Sequence, residues 1–380
     1  MLIAGGLYVE QCCLPQWNCV FGSGGRSAAA ISVISPNTTL YTYGDNTNKY
    51  VAQYREKFDV NLVVSHRDSD IVFSYFHPLS NPLIYPPLED IERQPPILLE
   101  GESVLRFGFL EGEAIVNAQR AVFDPQTWRG KPSFNSNGSK ADELSIVLNE
   151  LELLSLNPTG DIKTAAFQLM KEEKAKVVVV KRGAKGVEVF ESSGYSSRIP
   201  AYKTTRVFKI GTGDIFSATY AHYWAERKMS AIDAANLASK SVAAYCCSAN
   251  IPITCKKSID FQPTANNKLG TVLLVGKAET LGNRFVLEEA RFVLNELGVN
   301  VICPSLNDKD DGSATSCLVI MDTLSVDDLA PIQVSSKVLP TVLLIEGEYG
   351  NLVELADLKE EIICDDFTSA IYHAVWAATE

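Results

Sequence analysis

Short apolar runs separated by polar turns open the chain. MLIAGGLYVE, TTLYTYG, VNLVVS, DIVFSYF and VLRFGF recur between residue 1 and about 120, with Asn, Asp and Pro between them, the punctuation of strands. SAAAISVIS is small and apolar without alternation and follows two glycines, which predicts a helix packed closely on a sheet. Around Val122-Phe123-Asp124-Pro125 the pattern becomes regular: helix LEGEAIVNAQRA before it, then helices SKADELSIVLN and DIKTAAFQLMKEE and the strand KVVVVKRG. VEVF and SSRIPA read as a further strand pair, KIGTGDIFSATYAHYWAER as a glycine turn opening a long helix, and ANLASKSVAAYCCSA as another helix. Helices alternating with buried strands predict an α/β fold with a doubly wound, mostly parallel sheet.

CKKSIDFQPTANNKLG is polar and carries Pro263, Asn266 and Asn267, so it reads as a linker. The expected organisation is a first domain over 1–262, a linker over 263–270 and a second, smaller flavodoxin-like α/β domain over 271–380. In that last domain TVLLVG, VNVICP, CLVIMD, PTVLLIE and EIICDD are strand-like, with RFVLEEARFVLNELG as a helix among them. A length of 380 residues suits two cores rather than one.

A net charge of −12 disfavours phosphate neutralisation along a nucleic acid. No apolar run approaches the roughly 20 residues that span a bilayer, and MLIAGGLYVE lacks a charged n-region, so a cytoplasmic protein without a membrane partner is expected. Nine cysteines show no C-x-x-C spacing and the four histidines lie far apart. Chemistry must therefore rest on carboxylates, lysines and backbone amides.

Four segments carry candidate chemistry. In Lys209-Ile210-Gly211-Thr212-Gly213-Asp214, two glycines at a helix start expose backbone N–H groups to an anion, and Asp214 could take the proton of an attacking hydroxyl beside it. The plain alternative is a turn capped by Asp214. Asn149 and Glu152 after an apolar run could order a hydrated Mg²⁺, or simply end a solvated helix. The strand ending at Lys181 runs into a turn with Gly183 and Gly186, at the sheet edge where ligands sit in open α/β folds; glycine there also serves a tight turn. Gly22-Ser23-Gly24-Gly25-Arg26, with Glu10 before it and Gly44-Asp45-Asn46 after it, suits a polyhydroxylated ligand or a structural turn.

Taken in this order, the segments resemble the ribokinase/PfkB carbohydrate kinase family across roughly residues 1–255. The resemblance implies a ribokinase-like fold with a small β lid built from strands near residues 7–20, ATP and Mg²⁺ as cofactors, and a sugar or nucleoside hydroxyl as phosphate acceptor. It assigns Asp214 as catalytic base, Gly211, Thr212 and Gly213 as anion hole, and Asn149 with Glu152 as the metal and phosphate site. Lys181, Gly183, Gly186 and Ser239 become nucleotide contacts, and Glu10, Gly24, Gly25 and Asp45 substrate contacts. Pairing of such lids into a homodimer is also implied.

The chain departs from the family pattern at Phe208-Lys209-Ile210, where Asp-Thr is usual, at Thr212 in place of Ala, at Glu10 in place of Asp, and near Ala28-Ala29, where an Asn is often found. Lys209 would add a positive charge near the phosphates or be solvated. These changes fall mainly on the acceptor side and leave the acceptor open. An alternative reading is a nucleoside- or nucleotide-binding regulator on a degenerate kinase fold. The last 110 or so residues are faintly similar to nucleoside 2-deoxyribosyltransferase-like domains, with Asp327, Asp328 and Glu354 as candidate acids. That would make the protein bifunctional at a nucleoside glycosidic bond; otherwise the module is noncatalytic and serves dimerisation or ligand sensing.

Overall fold

The computed structural model describes residues 1–126, 130, 132–158, 160–253, 260–265, 269–324, 339–347 and 362–380. Asp327, Asp328 and Glu354 and part of the 263–270 segment lie outside the described residues. The chain divides into two units, one of residues 1–182, 186–202 and 209–261, the other of residues 183–185, 203–208 and 262–380.

In the first unit, β1 (Leu2–Ala4), β2 (Val9–Cys12), β3 (Trp17–Val20), α1 (Gly22–Ile31), β4 (Thr39–Gly44) and α2 (Lys49–Lys57) lead into β5 (Asn61–His66), β6 (Val72–Tyr75) and β7 (Leu83–Tyr85). Then come β8 (Ile97–Phe107), β9 (Ala114–Asp124), β10 (Lys140–Asn149), α3 (Glu150–Leu156) and α4 (Ile162–Glu173). The unit closes with β11 (Val177–Lys181), β12 (Val187–Glu191), β13 (Ser196–Ile199), α5 (Thr212–Ala221) and α6 (Ala231–Ser248).

Nine strands form one sheet in the order β13-β12-β11-β10-β9-β8-β1-β4-β5. Every neighbouring pair is parallel except those made by β12. Val177 and Val179 of β11 face one apolar layer with residues of α1, α5 and α6, while Val178 and Val180 face another with Ala165 and Leu169 of α4. Alternate residues of one strand thus feed cores on both faces, the doubly wound arrangement.

Two expected helices are strands. LEGEAIVNAQRA and SKADELSIVLN contain good helix formers, but β9 and β10 occupy most of them. Ala114, Val116 and Ala118 are buried at period two and Leu144 to Leu148 without interruption, as in a strand covered on both faces, and parallel pairing of β9 with both β8 and β10 favours extended chain. Helix propensity is a few tenths of a kcal/mol per residue and yields to such pairing.

A separate four-stranded sheet, ordered β3-β2-β6-β7, takes its core from Tyr8, Ile71, Phe73, Ile91 and Leu110. It holds the strands expected near residues 7–20.

The second unit contains β14 (Thr271–Val275), α7 (Leu281–Glu296), β15 (Asn300–Ile302), β16 (Ser316–Ile320), β17 (Thr341–Leu344), β18 (Ile362–Cys364) and α8 (Phe367–Thr379). Its strands are parallel in the order β15-β14-β16-β17-β18, the 2-1-3-4-5 order of flavodoxin-like folds. Among the described residues, no helix is long and apolar enough to cross a membrane.

Candidate active site

Gly211 sets the shape of the central turn. Its φ of +75° is left-handed, and a Cβ there would stand 2.1 Å from Arg26 Nε, so both backbone and space require glycine. α5 then starts at Thr212, whose N–H donates to Lys209 O at 3.2 Å, while the Ile215 N–H donates to Gly211 O at 3.0 Å; the N–H groups of Gly213 and Asp214 between them precede the first intrahelical bonds, and the helix dipole favours negative charge beside them. Thr212 Oγ1 accepts from Lys209 Nζ at 2.8 Å and donates to Lys209 O at 3.1 Å, which ties the lysine of the preceding loop to the helix start.

Beside this turn lies a cleft of about 360 Å³. Tyr8, Glu10, Phe73 and Tyr75 form one wall, and Gly22, Ser23, Arg26, Gln126 and residues 209–214 form much of the rest. Two buried charge groups organise it. Arg26, 1% exposed, donates through Nη1 to Glu10 Oε1 at 2.9 Å and to Asp214 Oδ2 at 3.0 Å, and through Nη2 to Glu10 Oε2. Glu10 also accepts the N–H of Gly22 at 3.0 Å. Deeper in, Asp124 at the end of β9 accepts from Lys181 Nζ and from Ser217 Oγ, each at 2.7 Å.

Burial pushes the Asp214 carboxyl up; Arg26 opposes the rise, Glu10 and Asp124 add to it, and the result is about 6. A carboxylate so placed is ionised at neutral pH yet more basic than an exposed aspartate. Burial alone would lower the Lys181 ammonium, but Asp124 first, then Glu152 and Asp214, outweigh it and raise the value.

The residues expected from sequence are distributed unevenly. Gly211, Thr212, Gly213, Asp214 and Glu10 line the cleft, and Lys181 Nζ comes within 3.6 Å of a Cβ built on Gly213. Gly24 and Gly25 lie inside α1 rather than in a turn before it, and a Cβ on Gly24 would stand 2.4 Å from the Gly5 backbone, so this glycine lets helix and strand approach. Asn149 and Glu152 form a reciprocal capping box at the start of α3, each accepting the other's backbone N–H at 2.8 Å. Asp45 accepts from Thr47 N and Oγ1 at 2.8 Å in a local turn. Gly186 has a φ of +84°, with a Cβ position 2.2 Å from Ile199 O, and Ser239 Oγ donates to Pro200 O at 2.9 Å. Gly183 belongs to the second unit's residues.

The sequence reading assigns no role to Arg26, Asp124 or Gln126. Gln126 Nε2 stands 3.4 Å from Asp214 Oδ1. Arg26 left one signal, a lone charge in the small-residue run GSGGRSAAA, and Asp124 another, an acid closing the apolar run AVFD before Pro125.

Residues 113–256, which include Asp124, Lys181 and the whole Gly211–Asp214 turn, match the family model of the pfkB family carbohydrate kinases. No curated protein matches the chain in sequence. Among solved structures the fold is similar to ribokinase from Giardia lamblia, at 14% identity and a TM-score of 0.49, covering 66% of this chain and 95% of that one. Fructokinase from Vibrio cholerae O395, in a form bound to fructose, ADP and calcium ion, aligns at 16% identity and a TM-score of 0.48, over 65% of this chain and 93% of that one. A pyrophosphate-dependent kinase of the ribokinase family, complexed with a pyrophosphate analog and myo-inositol, aligns at 15% and 0.46, over 67% and 97%. Through residues 113–256 this chain is therefore similar to the pfkB family of carbohydrate kinases.

Proposed function

We propose that the N-terminal unit transfers a phosphoryl group from ATP to a hydroxyl of a sugar or nucleoside-like small molecule. The observation that carries this reading is the Asp214 carboxyl, pushed up to about 6 and placed in the first turn of α5, where backbone N–H groups await an anion. Asp214 takes the acceptor's proton; the N–H groups of the first turn hold phosphoryl oxygens as charge moves to the leaving group. Arg26 fixes Asp214 through Oδ2, leaving Oδ1, with Gln126 at 3.4 Å, to meet the acceptor.

For the donor, the exposed amides and the cations Lys181 and Lys209 fit a polyphosphate. Among the described residues no group of three or more His, Cys, Asp or Glu side chains could hold a metal directly. Mg²⁺ would therefore sit mainly on the donor's phosphates, with Asn149 and Glu152 contributing through water, and would neutralise charge there. Gly24, Gly25 and Asp45 support the acceptor wall by packing and turn geometry, while Glu10 faces the cleft. Lys181, Gly186 and Ser239 frame the nucleotide side in this reading, with Gly183 following in the same turn. The four-stranded sheet acts as the lid that shields the acceptor from water.

One observation favours the regulator reading as well: Arg26 engages both Glu10 and Asp214, so the acceptor-side carboxylates already have a cation. An ATP-to-ADP turnover screen with Mg²⁺ across sugars and nucleosides separates the two, run on wild type and Asp214→Asn. Turnover with one acceptor class, reduced about 10²–10⁴-fold in the variant with ATP binding kept, is the expected result. ATP binding without turnover in wild type would replace the kinase by the regulator.

A further inference from the structure

The cations around the cleft are not equivalent. Arg26 pairs with Glu10 and Asp214, and Lys181 with Asp124. Lys209 lines the same cleft, two residues before the left-handed Gly211. Its Nζ donates to one neutral oxygen, Thr212 Oγ1, at 2.8 Å, and among the described residues no carboxylate stands within ion-pair distance of it. Burial pulls its ammonium below the ordinary lysine value; Cys246 opposes this, Lys181 adds to it, and Asp214 opposes it more weakly. A part-buried ammonium with one neutral partner for its three N–H donors has donors left to meet an anion in the cleft.

The anion that fits is set by the neighbours. Lys209 is tied to Thr212, the first residue of α5, so its ammonium stands at the same helix start as the N–H groups of Gly213 and Asp214. We propose that Lys209 Nζ is a ligand of the phosphoryl group in transfer, contacting an oxygen of the donor's terminal phosphate. This rests on the phosphotransferase reading and assigns Lys209, rather than the already paired Lys181, to the terminal phosphate. In the step, the acceptor's O–H bond breaks and its proton goes to Asp214. The freed electron pair forms the new O–P bond, and the bond from phosphorus to the ADP oxygen breaks with its pair kept by ADP. Lys209 keeps its proton throughout and meets charge that builds on the equatorial oxygens.

The test compares wild type, Lys209→Met and Asp214→Asn for ATP affinity, ADP affinity and turnover. Because ADP lacks the terminal phosphate, Lys209→Met should weaken ATP about tenfold or more while changing ADP less than about threefold. It should also lower kcat about 10²–10³-fold. Its melting temperature should equal or exceed that of wild type, since a poorly compensated charge has been removed. If Lys209→Met does not fold, Lys209→Gln, which still donates to Thr212, reads the same ATP-to-ADP ratio. Unchanged ATP and ADP affinities, with turnover kept in Lys209→Met and lost in Asp214→Asn, overturn the role of Lys209 and leave the kinase standing. Wild type that binds ATP without turning over overturns the kinase, while the ATP-to-ADP ratio still decides Lys209. Wild type that binds neither nucleotide overturns both.

Discussion

Acids stand at the carboxyl ends of parallel strands in both units, and what holds them differs. In the first unit Asp124 closes β9 and is 2% exposed, with Lys181 and Ser217 on it, and Asp214 shares Arg26 with Glu10. In the second, Asp322 follows β16 and accepts the backbone N–H groups of Glu346 and Gly347 at 2.9 and 3.1 Å. Glu346 follows β17 and accepts the N–H of Phe367 at 3.2 Å, and Asp366 caps α8 through Ser369. None of these three has Lys or Arg within ion-pair distance among the described residues. Acids that order loops at a solvated rim cost the fold little. Acids buried with cations are expensive to keep, and their concentration around one cleft makes that cleft the candidate for chemistry.

The sharpest way to break this contrast is to remove Arg26. Arg26→Met leaves Glu10 buried without its cation, and loss of one partner of a buried pair costs about 3–5 kcal/mol. Chemical denaturation should show that loss. Wherever the variant folds, turnover should also fall, because Asp214 loses the group that fixes its orientation. A variant as stable and active as wild type would reduce the buried network to a packing detail.

How far this difference could be read from sequence depends on the range of each interaction. The turn from Gly211 to Asp214 was legible because its chemistry is local: glycine, glycine and carboxylate fall within one helix turn. The parallel strands β14, β16 and β17 were legible because each is a continuous apolar run. β9 and β10 were misread because Ala, Glu, Gln and Lys favour helix locally, while the deciding partners are neighbouring strands. Arg26 was missed for the same reason at longer range: its partners are 16 and 188 residues away, and an arginine in a helix ordinarily reaches solvent. Asn149 and Glu152 are expected from sequence to order a metal or to end a solvated helix; the structure shows their mutual capping, which local spacing also encodes.

The next prediction uses the electrostatics of the first unit. With Asp214 near 6, log kcat/KM should rise with pH at unit slope below that value and level off above it, about tenfold down one unit below the plateau's edge. Glu10 raises the Asp214 value and Arg26 lowers it. Glu10→Gln removes the first influence and leaves Arg26 to Asp214 alone, so the acid limb should move to lower pH. An acid limb that stays or moves upward would show that the base is another group.

The smallest effect is expected at the other pole of the comparison. Glu346 is exposed at the rim; partial shielding raises its carboxyl, the N–H of Phe367 opposes this, and Asp322 and Asp366 add to the rise. Because the folded value lies above the unfolded one, any stability it contributes is present at low pH and is lost as pH rises through the folded value. Glu346→Gln keeps an oxygen for Phe367 and removes the repulsion, so it should leave stability unchanged near pH 4. At pH 8 it should be neutral or raise stability by less than about 0.5 kcal/mol, since solvent screens the site. Turnover should not move at either pH. A loss of turnover in this variant would mean that the rim acids of the second unit share in the chemistry, and the contrast between paired and capped carboxylates would no longer locate it.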